Sequence, residues 1–171
     1  LGYNLWKGNN QLSEVEGYEN LEHLKFLKLK NKINNLEKNK YYELNRDQIF
    51  LNEAIDNLKE DPKRYFYLSI KKFFSYYFID LNSTYKNYFN FFHYFPILIL
   101  SLLSIPGLFV FFKKNKFENN CLGLYFFLNL AIFSIFFVLP RYKLIILPVQ
   151  IILASYSIMY LIKKFNLFYK R

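Results

Sequence analysis

Three apolar runs in the C-terminal half constrain this chain more than any other feature: Phe95–Phe112, Cys121–Leu139 and Leu144–Ile162. The first reads FPILILSLLSIPGLFVFF. At ~1.5 Å per helical residue it covers about 27 Å, close to the hydrocarbon thickness of a bilayer. Pro106 and Gly107 interrupt it, which a membrane helix tolerates better than a soluble one. The second run carries Asn129, expected to make an interhelical hydrogen bond, and opens on Cys121, expected to pack. The third has Pro148 and Gln150 near its start. The expected fold class is therefore all-α and polytopic, with three C-terminal transmembrane helices at about 95–112, 121–139 and 144–162. An extracytoplasmic helical region containing an interfacial amphipathic helix precedes them.

Charge is divided in the same way. Up to Lys86 there are 14 basic and 12 acidic residues; beyond it there are nine basic and one acidic, Glu118. The net charge of +10 thus comes from cations at the ends of apolar segments. That is the pattern of membrane topology rather than of a phosphate-tracking groove, and no nucleic-acid partner is expected. Lys113, Lys114 and Lys116 follow the first run, and Lys163, Lys164, Lys170 and Arg171 follow the third. If all three runs cross, these clusters share one face, which the positive-inside tendency makes cytoplasmic. Residues 1–94 are then extracytoplasmic and the C-terminus cytoplasmic. Arg141 and Lys143 work against that tendency, in the short outer hairpin. Two readings stand: they meet lipid headgroups, or they hold an anionic lipid-linked substrate at the membrane surface.

Residues 1–86 form the extracytoplasmic part and 87–171 the membrane part. Residues 1–18, with Gly2, Gly8, Asn9, Asn10 and Gly17, read as an irregular loop. Leu21, Leu24, Leu27, Ile33 and Leu36 give a helical stripe over about 19–38. Asn45 and Gln48 fit a capping box opening a second helix, with Leu51, Ala54, Ile55 and Leu58 on one face. Asp61-Pro62 is a start signal for a third. That third helix, 62–80, contains seven Leu, Ile and Phe residues around Lys71 and Lys72. At roughly −0.4 kcal/mol per apolar residue and +3 per central lysine, crossing is unfavourable by about 3 kcal/mol. It is expected to lie at the interface, its lysines turned to water or lipid phosphate.

The 21 Phe and 16 Tyr residues accompany abundant Asn, Lys and Ile, a bias that an AT-rich genome explains without any binding site. The single cysteine excludes an internal disulfide. No phosphate-binding glycine loop, HExxH or Cys/His metal spacing is present, and His23 and His93 lie far apart. The chain begins at Leu1 without a basic-then-apolar leader and reads as a piece of a longer protein.

Three stretches taken together carry a resemblance: NLWKGNN at Asn4–Asn10, LNRDQIFLNEAIDNLKEDPKRYFYLSIKKFF at Leu44–Phe74 and LPRYKLIILPVQIILASYSI at Leu139–Ile158. In this order they resemble the C-terminal part of bacterial membrane glycosyltransferases of family 39, the dolichyl-phosphate-mannose protein mannosyltransferase-like group of the GT-C superfamily. The chain departs from that pattern at Gln11, Ile145 and Leu147. The resemblance implies a multi-pass protein of the bacterial cytoplasmic membrane and a sugar donor linked to polyprenyl phosphate. It also implies transfer to an extracytoplasmic acceptor and a divalent metal in the full-length enzyme. The catalytic acidic loop lies upstream, so no catalytic residue, metal ligand or cofactor is expected within this chain. What it would supply is donor binding. Arg141 and Lys143 would grip the lipid phosphate, and Trp6, Asn9 and Asn10 would line the sugar site. The competing reading is a non-enzymatic polytopic membrane protein, a transporter or a polysaccharide-export subunit. Membrane lipids are partners under either, and protein partners are not specified.

Overall fold

Among the residues described by the computed structural model (1–113 and 117–169, with side chains as far as 165), every regular element is helical. Seven α-helices follow one another: α1 Gly2–Asn9, α2 Leu27–Asn34, α3 Tyr42–Glu60, α4 Pro62–Tyr77, α5 Phe91–Phe112, α6 Phe117–Ile135 and α7 Lys143–Tyr169. Short 3-10 turns at Leu24–Phe26 and Pro140–Tyr142 lead into α2 and α7. Contacts divide the chain into two units: Leu1–Lys72 with Phe133–Val138, and Phe73–Ile132 with Leu139–Arg171.

In the first unit α1 and α2 pack on α3. Trp6, Phe26, Leu29, Ile33, Phe50 and Ala54 form its core. The Trp6 ring meets the edge of Phe26 at 5.3 Å and the tilted ring of Phe50 at 5.0 Å, favourable aromatic geometries. The expected N-terminal loop is in fact helical over Gly2–Asn9. The glycines that argued for a loop are needed for close approach: a Cβ on Gly2 would stand 2.1 Å from the Asp47 carbonyl oxygen, and one on Gly8 1.9 Å from that of Phe136. Asp47 supplies the N-terminal cap, its carboxylate accepting from the backbone N–H groups of Gly2 and Tyr3 at 2.9 Å each. Those two bonds hold its carboxyl below the usual range.

The Asn45 capping box does not form. α3 starts earlier, at Tyr42, without a side-chain cap, and Gln48 donates forward to Asn52. The start of α4 does follow the sequence: the Asp61 carboxylate accepts from the Arg64 N–H at 3.0 Å, with Pro62 as first helical residue.

In the second unit α5 packs along α7. Ser101 meets Gln150, Gly107 lies against Leu153, and Phe111 contacts Tyr156. Both sequences advance in the same direction, so the two helices run parallel. Both are long and apolar enough to cross a membrane, over Phe91–Phe112 and Pro140–Phe165. Only 22% and 33% of those windows is buried. The core helix of a water-soluble protein would be mostly covered, whereas here Phe92, Leu102, Phe109, Ile151, Ile158 and Leu161 are exposed.

α6 is as long as the expected 121–139 run but displaced four residues toward the N-terminus. It opens on the polar Glu118, Asn119 and Asn120 and ends at Ile135, so its apolar portion, 121–135, rises about 22 Å at ~1.5 Å per residue. Asn129 donates to the Tyr125 carbonyl one turn back in the same helix at 2.8 Å, not across helices. Cys121 is exposed rather than packed. Of the cations used to orient the chain, Lys114, Lys116, Lys170 and Arg171 lie outside the described residues.

Candidate functional site

The residues singled out from sequence occupy two neighbourhoods, one in each unit. In the first, α1 ends at Asn9 and α6 ends at Ile135, leaving backbone carbonyls without helical partners. Lys72 of α4 meets both ends. Its Nζ donates to the carbonyl oxygens of Gly8 at 2.8 Å and Phe136 at 2.6 Å and to Asn9 Oδ1 at 3.1 Å, with the Ile135 carbonyl at 3.5 Å. The side chain is wholly buried. This corrects the expectation that the α4 lysines face water or phosphate. Lys71 does remain partly exposed, 3.9 Å from Glu14. Burial, helped by the Arg64 charge, pushes the Lys72 ammonium down to about 7. The carbonyl cage and the negative ends of two helices favour its charged form.

Asn9 completes the junction. Its amide donates to the Leu5 carbonyl at 2.9 Å and the Ile135 carbonyl at 2.7 Å while its oxygen accepts from Lys72. Asn10 is equally engaged: its amide donates to the Tyr18 carbonyl at 2.7 Å and its Oδ1 accepts from the Leu12 N–H. Arg64 grips the same segment, donating to the carbonyls of Asn10 and Ser13 at 3.2 Å each. Trp6 is fully covered and presents no ring face to a ligand. The three residues proposed to line a sugar site are interior here, and their polar atoms, apart from Trp6 Nε1, bond to protein. Sequence reasoning missed Lys72 and Arg64 as organisers of this region. The available signal was a lysine placed on the apolar stretch of an otherwise amphipathic helix.

The second neighbourhood is the start of α7. Lys143 is buried, and its ammonium donates to the Phe78 carbonyl just beyond α4. Arg141 is exposed, its guanidinium 5.5 Å from the Tyr142 ring centroid. The two cations expected to act together are thus divided: one bonds to the backbone and one faces outward. Tyr76 donates to the Tyr142 carbonyl at 3.2 Å, tying the end of α4 to the same turn. Deeper along α7, Gln150 donates to the Tyr77 carbonyl at 2.9 Å. Among the described residues no three His, Cys, Asp or Glu side chains gather as metal ligands would. No family model, curated protein or solved structure matches the chain.

Proposed function

We propose that this chain is the membrane-embedded C-terminal part of a bacterial glycosyltransferase that uses a polyprenyl-phosphate-linked sugar, with Arg141 as the residue that meets the donor's phosphate. The observation that carries the reading is the exposed guanidinium of Arg141 at the head of an apolar, largely uncovered α7. A lipid phosphate stays at the interface while its chain enters the bilayer, and arginine binds phosphate through paired N–H donors.

Two further features support it. The parallel course of α5 and α7 is compatible with a return of the chain between them through α6. In this reading α6 is a third crossing, with Lys113 and the Lys163–Lys164 pair at one end of the bundle and Arg141 at the other. Secondly, two of the three motif stretches behind the resemblance interlock in the first unit: Asp47 caps the helix of NLWKGNN, and Arg64 and Lys72 hold its far end. Lys143 is assigned a structural role in this reading, and so are Trp6, Asn9 and Asn10.

The test is binding of a polyprenyl phosphate to the protein in lipid nanodiscs. Arg141→Ala removes an exposed side chain and leaves the fold intact. Losing one charge-assisted contact of about 1.5 kcal/mol weakens Kd about tenfold. Unchanged affinity rejects the donor-binding role and favours the non-enzymatic membrane protein.

A further inference from the structure

We infer that residues 73–90 form a re-entrant hairpin: the last turn of α4 ends inside the hydrocarbon layer, with Phe74 against lipid chains, and the chain then climbs back to the start of α5. Tyr77 is the final residue of α4. Its hydroxyl lies 2.7 Å from Ser104 Oγ, and its carbonyl accepts from Ser101 Oγ at 2.8 Å as well as from Gln150. Ser101 stands about ten positions beyond Phe91, or ~15 Å along α5. The end of α4 is therefore ~15 Å deeper than the residue at which α5 begins.

A surface position for Tyr77 would require the first half of α5 to project out of the bilayer. The remaining 102–112 segment would then rise only about 16 Å, half of a hydrocarbon core of about 30 Å. If α5 crosses, Tyr77 lies within.

The hydrogen bonding fits that depth independently. A helix end in hydrocarbon has no water for its open carbonyls and must find protein donors. The Tyr77 carbonyl has Gln150 and Ser101, and the Phe78 carbonyl has Lys143. The returning limb is pinned by the Asp80 N–H donating to the Tyr88 hydroxyl at 2.8 Å. Phe74 points outward, 55% exposed, with its ring stacked near Phe78. A largely exposed phenylalanine at that depth has lipid as its partner. This differs from an interfacial helix, which keeps both ends at headgroup depth.

Single cysteines at Phe74, Leu102 and Thr84, each an exposed position, are introduced with Cys121→Ser, spin-labelled and placed in nanodiscs. Collision with oxygen is compared with collision with a water-soluble nickel chelate. The expected oxygen-to-nickel ratio at Phe74 is close to that at Leu102 and several-fold above that at Thr84. Blocking by a water-soluble maleimide provides a second readout and is expected to be slow at 74 and 102 and fast at 84. A ratio at Phe74 matching Thr84 overturns the hairpin in favour of a surface helix. Ratios at both Phe74 and Leu102 matching Thr84 overturn it together with the crossing of α5. Neither result depends on whether Arg141 binds phosphate.

Discussion

The Lys72 ammonium lies 2.6 Å from the carbonyl oxygen of Phe136, closing the C-terminal end of α6 from a position 64 residues earlier in the chain. The same ammonium closes the end of α1 through Gly8. One cation, its own side chain fully buried, thus caps two helices. Lys72→Met keeps most of the length of the side chain and removes the donor from the Gly8 and Phe136 carbonyls. Each acceptor left unsatisfied costs about 1–3 kcal/mol, so a loss of about 3 kcal/mol is expected. Lys72→Arg retains charge but brings a planar fork into a site shaped for a compact ammonium, and recovers only part of the loss. Urea unfolding of the detergent-solubilised protein, followed through Trp6, measures both.

The pH dependence of that stability has a definite sign. The ordinary lysine value of 10.5 falls to about 7 in the fold. Between those limits the unfolded chain binds a proton that the folded chain has released, so stability rises with pH across the window, by at most about 1.4 kcal/mol per unit. Below pH 7 both forms are charged and the contribution is flat. Unfolding midpoints at pH 7 and pH 9.5 are expected to diverge in the parent protein, with the higher pH more stable. The divergence should shrink in Lys72→Met. Equal slopes in the two proteins would mean that Lys72 keeps its proton throughout.

Asp47 gives the same sign of pH dependence in the acid range, but because the fold favours its charged form rather than penalising it. Its carboxyl is held below the usual range by the N–H groups of Gly2 and Tyr3. The stability it gives is present above the unfolded value, near 4, and is lost as pH falls through the lower folded value. Asp47→Ala removes an N-terminal cap and should cost about 1 kcal/mol at neutral pH. The difference from the parent should narrow in acid, as seen in urea midpoints at pH 7 and pH 3.

The helical class, the start of α4 at Asp61-Pro62 and the apolar runs of α5 and α7 were legible because each is written in local sequence. The helix at Gly2–Asn9 was not, since two glycines lower its intrinsic preference and their purpose lies in distant backbones, those of Asp47 and Phe136. Lys72 was misread for a related reason. A transfer scale counts a lysine in an apolar stretch as a penalty and does not see that remote segments deliver carbonyls to it. Asn9 and Asn10 looked like ligand contacts because polar residues in a motif invite that reading; in the fold Asn9 bonds the end of α1 and Asn10 ties down the loop that follows it. Arg141 alone of the five proposed binding residues is exposed, and nothing in its local sequence distinguished it from Lys143.

Gly107 and Gly123 make a matched pair on neighbouring helices. A Cβ at 107 would stand 1.9 Å from the Leu153 carbonyl oxygen, a backbone atom that moves only if α5 and α7 separate. A Cβ at 123 would stand 2.4 Å from the tip of the Phe112 ring, which can rotate away. Gly107→Ala is therefore expected to lose about 3 kcal/mol, at the upper end of overpacking, and Gly123→Ala under 1. Thermal aggregation of the detergent-solubilised variants ranks them.

The Tyr77 carbonyl receives two donors, Gln150 Nε2 at 2.9 Å and Ser101 Oγ at 2.8 Å. An acceptor with two lone pairs tolerates the loss of either. Gln150→Leu should cost about 1 kcal/mol, and Ser101→Ala the same or less, because Ser101 Oγ also faces the Ile97 carbonyl of its own helix. The double variant strands the carbonyl at the end of α4 with no donor and no water. Its cost should exceed the sum of the single changes by about 1 kcal/mol or more, the signature of a shared acceptor. Chemical unfolding of the four proteins in the same detergent gives the coupling directly. Simple additivity would show that the carbonyl has access to water, placing the end of α4 at the surface rather than among the lipid chains.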